Sequence, residues 1–172
     1  MPTATPARFS LWLVPEGAAE AALQAVINRL ATEHGGPSFP PHMTLLSGIV
    51  TTEDDVVERA RRLAIENAPI TLHLDGIGTD ETYFQSLFAT VVPTPELVGL
   101  RAAAQAIFPE APDPYRPHIS LLYGHPALET KRAIAAAERN ALPSSVRALT
   151  LLVMTGHEVA DWRYVLRAPL VG

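Results

Sequence analysis

The sequence predicts a mixed α and β fold built from two related halves, and three observations support this. An octet beginning Pro-His occurs at residues 41–48 and again at 117–124, with five identical positions. The same offset of 76 residues brings 10–12 (Ser-Leu-Trp) onto 86–88 (Ser-Leu-Phe). Short stretches typical of strands alternate with longer stretches whose apolar residues recur at helical spacing. Self-similarity of this kind indicates an internal duplication.

The first half reads as strand, helix, strand, helix and strand. Residues 8–14 are rich in Phe, Leu, Trp and Val, and the proline after them ends a strand. Apolar residues at helical spacing predict a helix over 17–34, which a Gly-Gly-Pro sequence stops. The first histidine strand spans about 41–49. Thr52 and the acidic residues after it have the form of a capping box and predict a second helix. Residues 70–77 alternate as a half-buried strand does.

The second half repeats that order, with Thr94 and Pro95 as N-cap and first helical residue. We therefore expect one domain over 1–172, with repeat units at about 8–77 and 84–168. The remaining predicted segments are a loose tail over 1–7, a turn-rich break over 76–81, a strand over 84–92, a proline-rich loop over 109–117, a second histidine strand over 117–124, a helix over 128–142 and closing strands over 146–155 and 162–168.

Composition narrows the possible classes of protein. The chain is 48% apolar and 18% charged, as globular proteins are. Its net charge of −5 is unlike that of a protein that grips long nucleic acid. The absence of cysteine excludes disulfides, thiolate metal sites and cysteine nucleophiles. Residues 1–8 lack the apolar segment of a signal peptide, and no apolar run is long enough for a membrane span. We expect a cytoplasmic monomer without a membrane partner.

Each octet carries a histidine and a hydroxyl two residues apart. On a strand, His42 and Thr44 would share one face, and so would His118 and Ser120. Histidine titrates near neutral pH and serves as acid or base, while hydroxyls donate hydrogen bonds to anionic oxygens. Two neutral donors without Arg or Lys suit a singly charged phosphodiester. The alternative is a duplicated leucine-rich strand whose His and Thr lie at its edge without a function.

These motifs resemble the 2H phosphoesterase superfamily, and within it the plant- and yeast-type cyclic phosphodiesterases. The similarity extends from about residue 8 to 170. Besides the two octets, the stretches that carry it are Phe9-Ser10-Leu11-Trp12-Leu13-Val14-Pro15, Gly36-Pro37 with Phe39, Tyr83-Phe84-Gln85, Pro114-Tyr115 and Asp161-Trp162.

The resemblance implies an α+β fold of two pseudo-symmetric lobes, each an antiparallel sheet with outer helices, around a central cleft. It implies hydrolysis of a ribose cyclic phosphate, either ADP-ribose 1″,2″-cyclic phosphate or a nucleoside 2′,3′-cyclic phosphate opened to the 2′-phosphate, with no metal or cofactor. The residues it assigns are the catalytic pair His42 and His118, the phosphate-holding hydroxyls Thr44 and Ser120, and the cleft aromatics Trp12 and Tyr123.

Whether Tyr123 and Trp12 contact a ligand depends on the structure around each residue. Tyr123 has the opposite strand parity to His118 and Ser120, so it reaches the cleft only if the strand bends after Leu122. Otherwise it belongs to the core or the surface. Trp12 lines a nucleotide site, as aromatic residues often do, or else packs in the core.

We expect His118 to activate water and His42 to protonate the leaving ribose oxygen, and the sequence allows the reverse assignment as well. Two other functions stay open. One is an RNA-end 2′,3′-cyclic phosphodiesterase or 2′-5′ RNA ligase-like protein, and the other is a non-catalytic nucleotide-binding module. A metal hydrolase ranks below both because three convincing ligands cannot be assembled.

Overall fold

The computed structural model describes residues 5–112 and 115–172, in which four α-helices pack on a seven-stranded antiparallel sheet. The predicted α+β class is therefore confirmed. The elements are β1 (Ala7–Pro15), α1 (Ala18–His34), β2 (Met43–Thr51), α2 (Glu53–Glu66), β3 (Ile70–Thr79), β4 (Leu87–Val91), α3 (Pro95–Ile107), β5 (His118–Leu122), α4 (Leu128–Glu138), β6 (Ser145–Thr155) and β7 (Arg163–Pro169). Short 3₁₀ turns occupy Tyr83–Gln85 and Val159–Asp161.

The strand order is β1-β2-β5-β4-β3-β6-β7, and a further pairing of β1 with β6 closes the first six strands into a ring. An offset of 76 residues relates β1, β2 and β3 to β4, β5 and β6. Exchanging these two sets leaves the order of the ring unchanged. The third strand of each half pairs with the first strand of the other half, as β3 with β4 and β6 with β1.

The two histidine strands are neighbours in this ring. Within the described residues, β2 and β5 share a single bridged pair, Met43 with Ile119. These are the residues that directly follow His42 and His118. The topology therefore brings the two octets together at the point where each begins.

The core lies on the face of these strands that does not carry the histidines. Leu45 and Leu121, like Met43 and Ile119, are fully buried. The helices pack their apolar sides against this face, and Leu23 of α1 is one of the buried residues. The intervening residues must then face the other way, because side chains alternate along a strand. That opposite face forms the cleft.

The boundaries of several predicted elements were wrong. His42 precedes β2 rather than lying within it, since the strand begins after Pro40-Pro41, where Pro41 has no N–H to donate. The predicted break over 76–81 is strand as far as Thr79. Gly78 is useful there because a Cβ would approach the Phe88 ring to 2.5 Å. The helix predicted to reach residue 142 ends at Glu138.

The strand predicted over 84–92 begins at Leu87, after a 3₁₀ turn. The predicted tail over 1–7 falls partly outside the described residues, and Ala7 already belongs to β1. The predicted loop over 109–117 includes residues 113 and 114, which also lie outside them. Within the described part of the chain, no helix has both the length and the apolar character needed to span a membrane.

Candidate active site

All six side chains that the sequence singles out line one cleft of about 660 Å³. They come from three separate regions of the chain, which meet because β1, β2 and β5 are adjacent in the sheet. The six are Trp12, His42, Thr44, His118, Ser120 and Tyr123. Their roles in catalysis and binding stay predictions.

The two histidines make equivalent hydrogen bonds. Nδ1–H of His42 donates to the carbonyl oxygen of Pro40 at 2.8 Å, and Nδ1–H of His118 donates to that of Arg116 at 2.7 Å. A carbonyl only accepts, so Nδ1 must hold the proton in both rings. The neutral tautomer then leaves Nε2 with its lone pair on each histidine. Both rings are thus prepared to act through Nε2.

Burial makes both imidazoles difficult to protonate. The pKa of His42 is lowered to about 4, mainly by desolvation; the Pro40 hydrogen bond opposes this lowering, and charge repulsion from His118 adds a smaller one. Desolvation also lowers the pKa of His118, and the charge of Arg116 acts in the same direction. Both histidines are therefore neutral at pH 7 in the unliganded protein.

Trp12 lies against His42. The two rings stack with centroids 3.6 Å apart and an angle of 13° between their planes. Trp162 approaches Trp12 edge-on at 4.8 Å, and only 3% of Trp12 is exposed. This packing fixes the orientation of the His42 ring. A direct contact between Trp12 and substrate, as the resemblance implies, stays a prediction.

The two hydroxyls differ in their surroundings. Thr44 is half-buried beside Trp12, its partner in the β1–β2 register. Ser120 is 5% exposed, and its Oγ–H donates to the carbonyl oxygen of Phe84 at 3.0 Å. For Ser120 to donate to a phosphate, its hydroxyl must rotate away from this carbonyl. Thr44 is the hydroxyl with fewer constraints.

Tyr123 reaches the cleft because the chain bends after Leu122, as its strand parity requires. Strand β5 ends at Leu122, and Gly124 follows with a φ of 131°, so the chain turns at Tyr123 and the side chain enters the cleft. Its ring stacks on Phe39 with centroids 3.9 Å apart. Burial raises the pKa of Tyr123, and a hydrogen bond with Ser120 opposes this rise. The phenol is therefore neutral at physiological pH.

The sequence reasoning missed the cations of the cleft. Arg8 and Arg116 both line it, in addition to the two hydroxyl residues that the sequence analysis names. Arg116 forms an ion pair with Asp80 at 2.6 Å, and its guanidinium lies 4.8 Å from the centre of the Phe88 ring. The parity of Arg8 with Trp12 was a signal that could have identified Arg8. Only the fold reveals the partner of Arg116.

His157 also reaches the rim of the cleft, where its ring centroid lies 5.6 Å from that of Phe84. The sequence motifs did not predict an interaction partner for His157. Within the described residues, no group of three or more His, Asp or Glu side chains is arranged to hold a metal ion.

Comparison with known proteins gives a family match over most of the chain. Residues 11–158 match the profile of the 2′-5′ RNA ligase superfamily. A cyclic phosphodiesterase of Arabidopsis thaliana is 27% identical over 125 residues, which are 72% of this chain and 69% of that protein.

Two crystal structures share the fold. E. coli LigT superimposes with a TM-score of 0.64 at 19% identity, over 98% of this chain and all of LigT. The protein TT0787 of Thermus thermophilus gives a TM-score of 0.66 at 19% identity, over 96% and 98% of the two chains. LigT has also been crystallised with phosphate and with 3′-AMP.

The family and the named relative support the predicted class of enzyme, a phosphoric diester hydrolase. The profile covers most of the chain, including both histidine octets. This protein therefore belongs to the 2′-5′ RNA ligase superfamily, the 2H phosphoesterases that its paired octets resemble.

Proposed function

We propose that this protein hydrolyses a ribose cyclic phosphate without a metal ion, using two histidines as base and acid. The substrate is ADP-ribose 1″,2″-cyclic phosphate or a nucleoside 2′,3′-cyclic phosphate, which is opened to the 2′-phosphate. The observation that carries the proposal is the pair His42 and His118, which line one cleft with equivalent Nδ1 hydrogen bonds. The Arabidopsis relative, named a cyclic phosphodiesterase, supports the same reaction.

In this mechanism Nε2 of His118 accepts a proton from water as the water oxygen attacks phosphorus. The bond from phosphorus to one ribose oxygen breaks, and Nε2 of protonated His42 gives its proton to that oxygen. His42 is neutral in the free protein, so it must gain this proton before or as the anionic phosphate binds. A bound negative charge favours that, because it raises the pKa of a nearby imidazole. The reverse assignment, with His42 as the base and His118 as the acid, is the alternative mechanism to be tested.

The hydroxyl of Thr44, and that of Ser120 after rotation, would donate to the non-bridging phosphate oxygens. Donors aimed at a developing negative charge stabilise the transition state, often as the largest single contribution. The two arginines of the cleft favour an anion by long-range attraction.

The test is phosphorus NMR of ADP-ribose 1″,2″-cyclic phosphate and of 2′,3′-cyclic AMP incubated with the protein in EDTA. We expect each active mixture to show one monoester product. His42→Ala and His118→Ala should each reduce kcat by about 10²- to 10⁴-fold, the usual contribution of a positioned acid or base. His73→Ala is the matched control, since His73 is an exposed histidine on β3 outside the cleft. Unchanged turnover in either cleft variant contradicts the mechanism.

A second candidate substrate is an RNA end that carries a 2′,3′-cyclic phosphate. The family name and the LigT complex with 3′-AMP favour it, whereas the net charge of −5 does not. A short oligoribonucleotide with a cyclic end, compared with 2′,3′-cyclic AMP in the same assay, distinguishes the two. Preference for the oligonucleotide, together with steep loss of binding in salt, would assign the RNA-end activity. Tight binding of all three compounds without turnover would instead indicate a binding module.

We further propose that the protein is a cytoplasmic monomer that takes a small-molecule substrate. Sedimentation equilibrium tests the oligomeric state, and cell fractionation tests the location. A dimer at micromolar concentration would contradict the first of these.

A further inference from the structure

The charge of the cleft differs from that of the whole chain. The sequence has 18 acidic and 13 basic residues. Yet among the described residues that line the cleft there are two arginines, Arg8 and Arg116, and no carboxylate. An acidic protein that keeps its acidic residues out of one cleft is suited to attract an anion there.

The two arginines are not equivalent. The charge of Arg116 is shared with Asp80, which it contacts at 2.6 Å. Arg8 is exposed at the start of β1, and no carboxylate of the described residues forms an ion pair with it. Arg8 therefore offers a full positive charge and free N–H donors to a ligand.

Arg8 lies on the same face of β1 as Trp12 but at the other end of the strand. Trp12 pairs with Thr44 of β2, whereas Arg8 pairs with Val50. Four residues along an antiparallel strand span about 14 Å, so Arg8 and the histidines occupy different ends of the cleft. The guanidinium lies over Gly48, where Nη1 is 3.8 Å from the position that a Cβ would take. The same position lies 2.8 Å from Cδ of Pro112, so Gly48 allows the Pro112 ring and the Arg8 guanidinium to come close together.

We propose that Arg8 forms a second anion subsite, for a phosphate group of the substrate other than the one that is hydrolysed. This inference rests on the proposed function, because it assumes that the reacting cyclic phosphate lies at the histidines. In a ribose cyclic phosphate closed on the ring hydroxyls, the 5′ carbon leaves the opposite side of the sugar. A phosphate or diphosphate attached there points away from the histidines and along the cleft. The preferred substrates then carry a 5′-phosphate or 5′-diphosphate.

The subsite can be tested by equilibrium binding of two product-like probes, adenosine 2′,5′-bisphosphate and adenosine 2′-monophosphate. Isothermal titration in EDTA at low ionic strength would give both dissociation constants. We expect the wild type to bind the bisphosphate about tenfold more tightly, as one added charge-assisted contact allows. Arg8→Ala should lose most of this preference, and Arg8→Glu should reverse it. Arg132→Ala, an exposed arginine on α4 outside the cleft, should keep the preference.

Equal preference in the wild type and Arg8→Ala would overturn the subsite, and so would a wild type that binds neither probe. Thermal melts of each variant establish that its fold is intact, and Arg8→Glu provides a second readout if Arg8→Ala is unstable. A different result would contradict the proposed function. If both cyclic phosphates stay intact while the bisphosphate preference depends on Arg8, the subsite stands and the hydrolytic mechanism falls.

Discussion

At the scale of single residues, the Nδ1 hydrogen bonds decide how the histidines can act. Each ring donates to a carbonyl oxygen two residues earlier, on Pro40 or Arg116. In the proposed mechanism, Nε2 is therefore the reactive atom of both rings. In each octet the histidine and the hydroxyl residue line the same cleft. The difference between the rings lies in burial, which is greater for His42.

The first prediction concerns the pH dependence of kcat/KM. The required acid is protonated only near or below the pKa of about 4 of His42, and the required base is neutral above the lowered pKa of His118. The product of these two fractions is largest between the two pKa values, so the optimum should lie below pH 6.5. Steady-state rates on 2′,3′-cyclic AMP from pH 4 to 8 measure it. A flat profile, or an optimum above pH 7, would contradict the assignment.

The second prediction separates the two roles open to Trp12. Because its ring stacks on His42 at 3.6 Å and is almost fully buried, we expect Trp12→Leu to lower kcat about tenfold, the loss of a good aromatic contact. KM should change much less, and the pH optimum should move because His42 becomes more hydrated. Trp12→Phe, which keeps a stacking ring, should recover most of kcat. A raised KM at constant kcat would instead assign Trp12 to substrate binding.

At the scale of elements, local sequence rules determine the starts of α2 and α3. Thr52 and Thr94 each cap a helix, and their hydroxyls accept from the backbone N–H three residues later at 3.4 and 3.3 Å. Strand boundaries follow less local rules. The strand β3 continues through Gly76 and Gly78 because β4 lies beside it and the Phe88 ring fills the space over Gly78.

The third prediction is that Thr52→Ala and Thr94→Ala each lower the free energy of unfolding by about 1 kcal/mol. The reason is the loss of one hydrogen bond to an otherwise unpaired N–H at the helix start. Urea denaturation measures both. Thr32→Ala is the control, since Thr32 is exposed in α1 and donates only to the carbonyl of Asn28, already within its own helix. A loss as large at Thr32 would show that capping is not the cause.

At the scale of the whole molecule, the exchange of third strands between the repeat halves ties the two histidine octets together. Neither half pairs its own strands completely, because β3 needs β4 and β6 needs β1. Residues of both halves line the cleft, so neither half forms it alone. The assignment of a single domain over 1–172 stays a prediction.

The fourth prediction links the cleft to global stability. His42 is buried and neutral in the folded state with a pKa of about 4, against an ordinary value of 6.5. As the pH falls, His42 therefore gains its proton at a higher pH in the unfolded chain than in the folded one. The free energy of unfolding decreases as a result between pH 6.5 and pH 4. This difference in the pKa of His42 contributes about 3 kcal/mol to the free energy of unfolding, and the contribution is fully present above pH 6.5.

Urea denaturation at pH 7 and pH 4 measures this effect. His42→Asn, which cannot titrate, should lose about 3 kcal/mol less than the wild type between the two conditions. His73→Asn, at an exposed position on β3, should follow the wild type. If all three proteins lose the same stability, the burial of His42 is not the source of the acid sensitivity.

Much of the fold and of the candidate site could be predicted from the sequence because the relevant signals are local. Strand parity placed His42 beside Thr44 and His118 beside Ser120, and capping residues marked α2 and α3. The signals that failed depend on neighbours distant in sequence. Nothing near residues 76–79 shows that Phe88 lies over Gly78, and nothing near Arg116 indicates its partner Asp80.

The sequence alone determined the repeat, the order of the elements, the chemistry of the two octets and the family that they resemble. Each follows from residue type and from spacing along the chain, which need no long-range contact. Tertiary structure decided how β3 and β6 exchange partners, and with that which residues from distant parts of the chain line one cleft, among them Arg8, Trp162 and the two histidines. It also decided the pKa of His42, because desolvation depends on which side chains surround the ring, among them Trp12 stacked on its face.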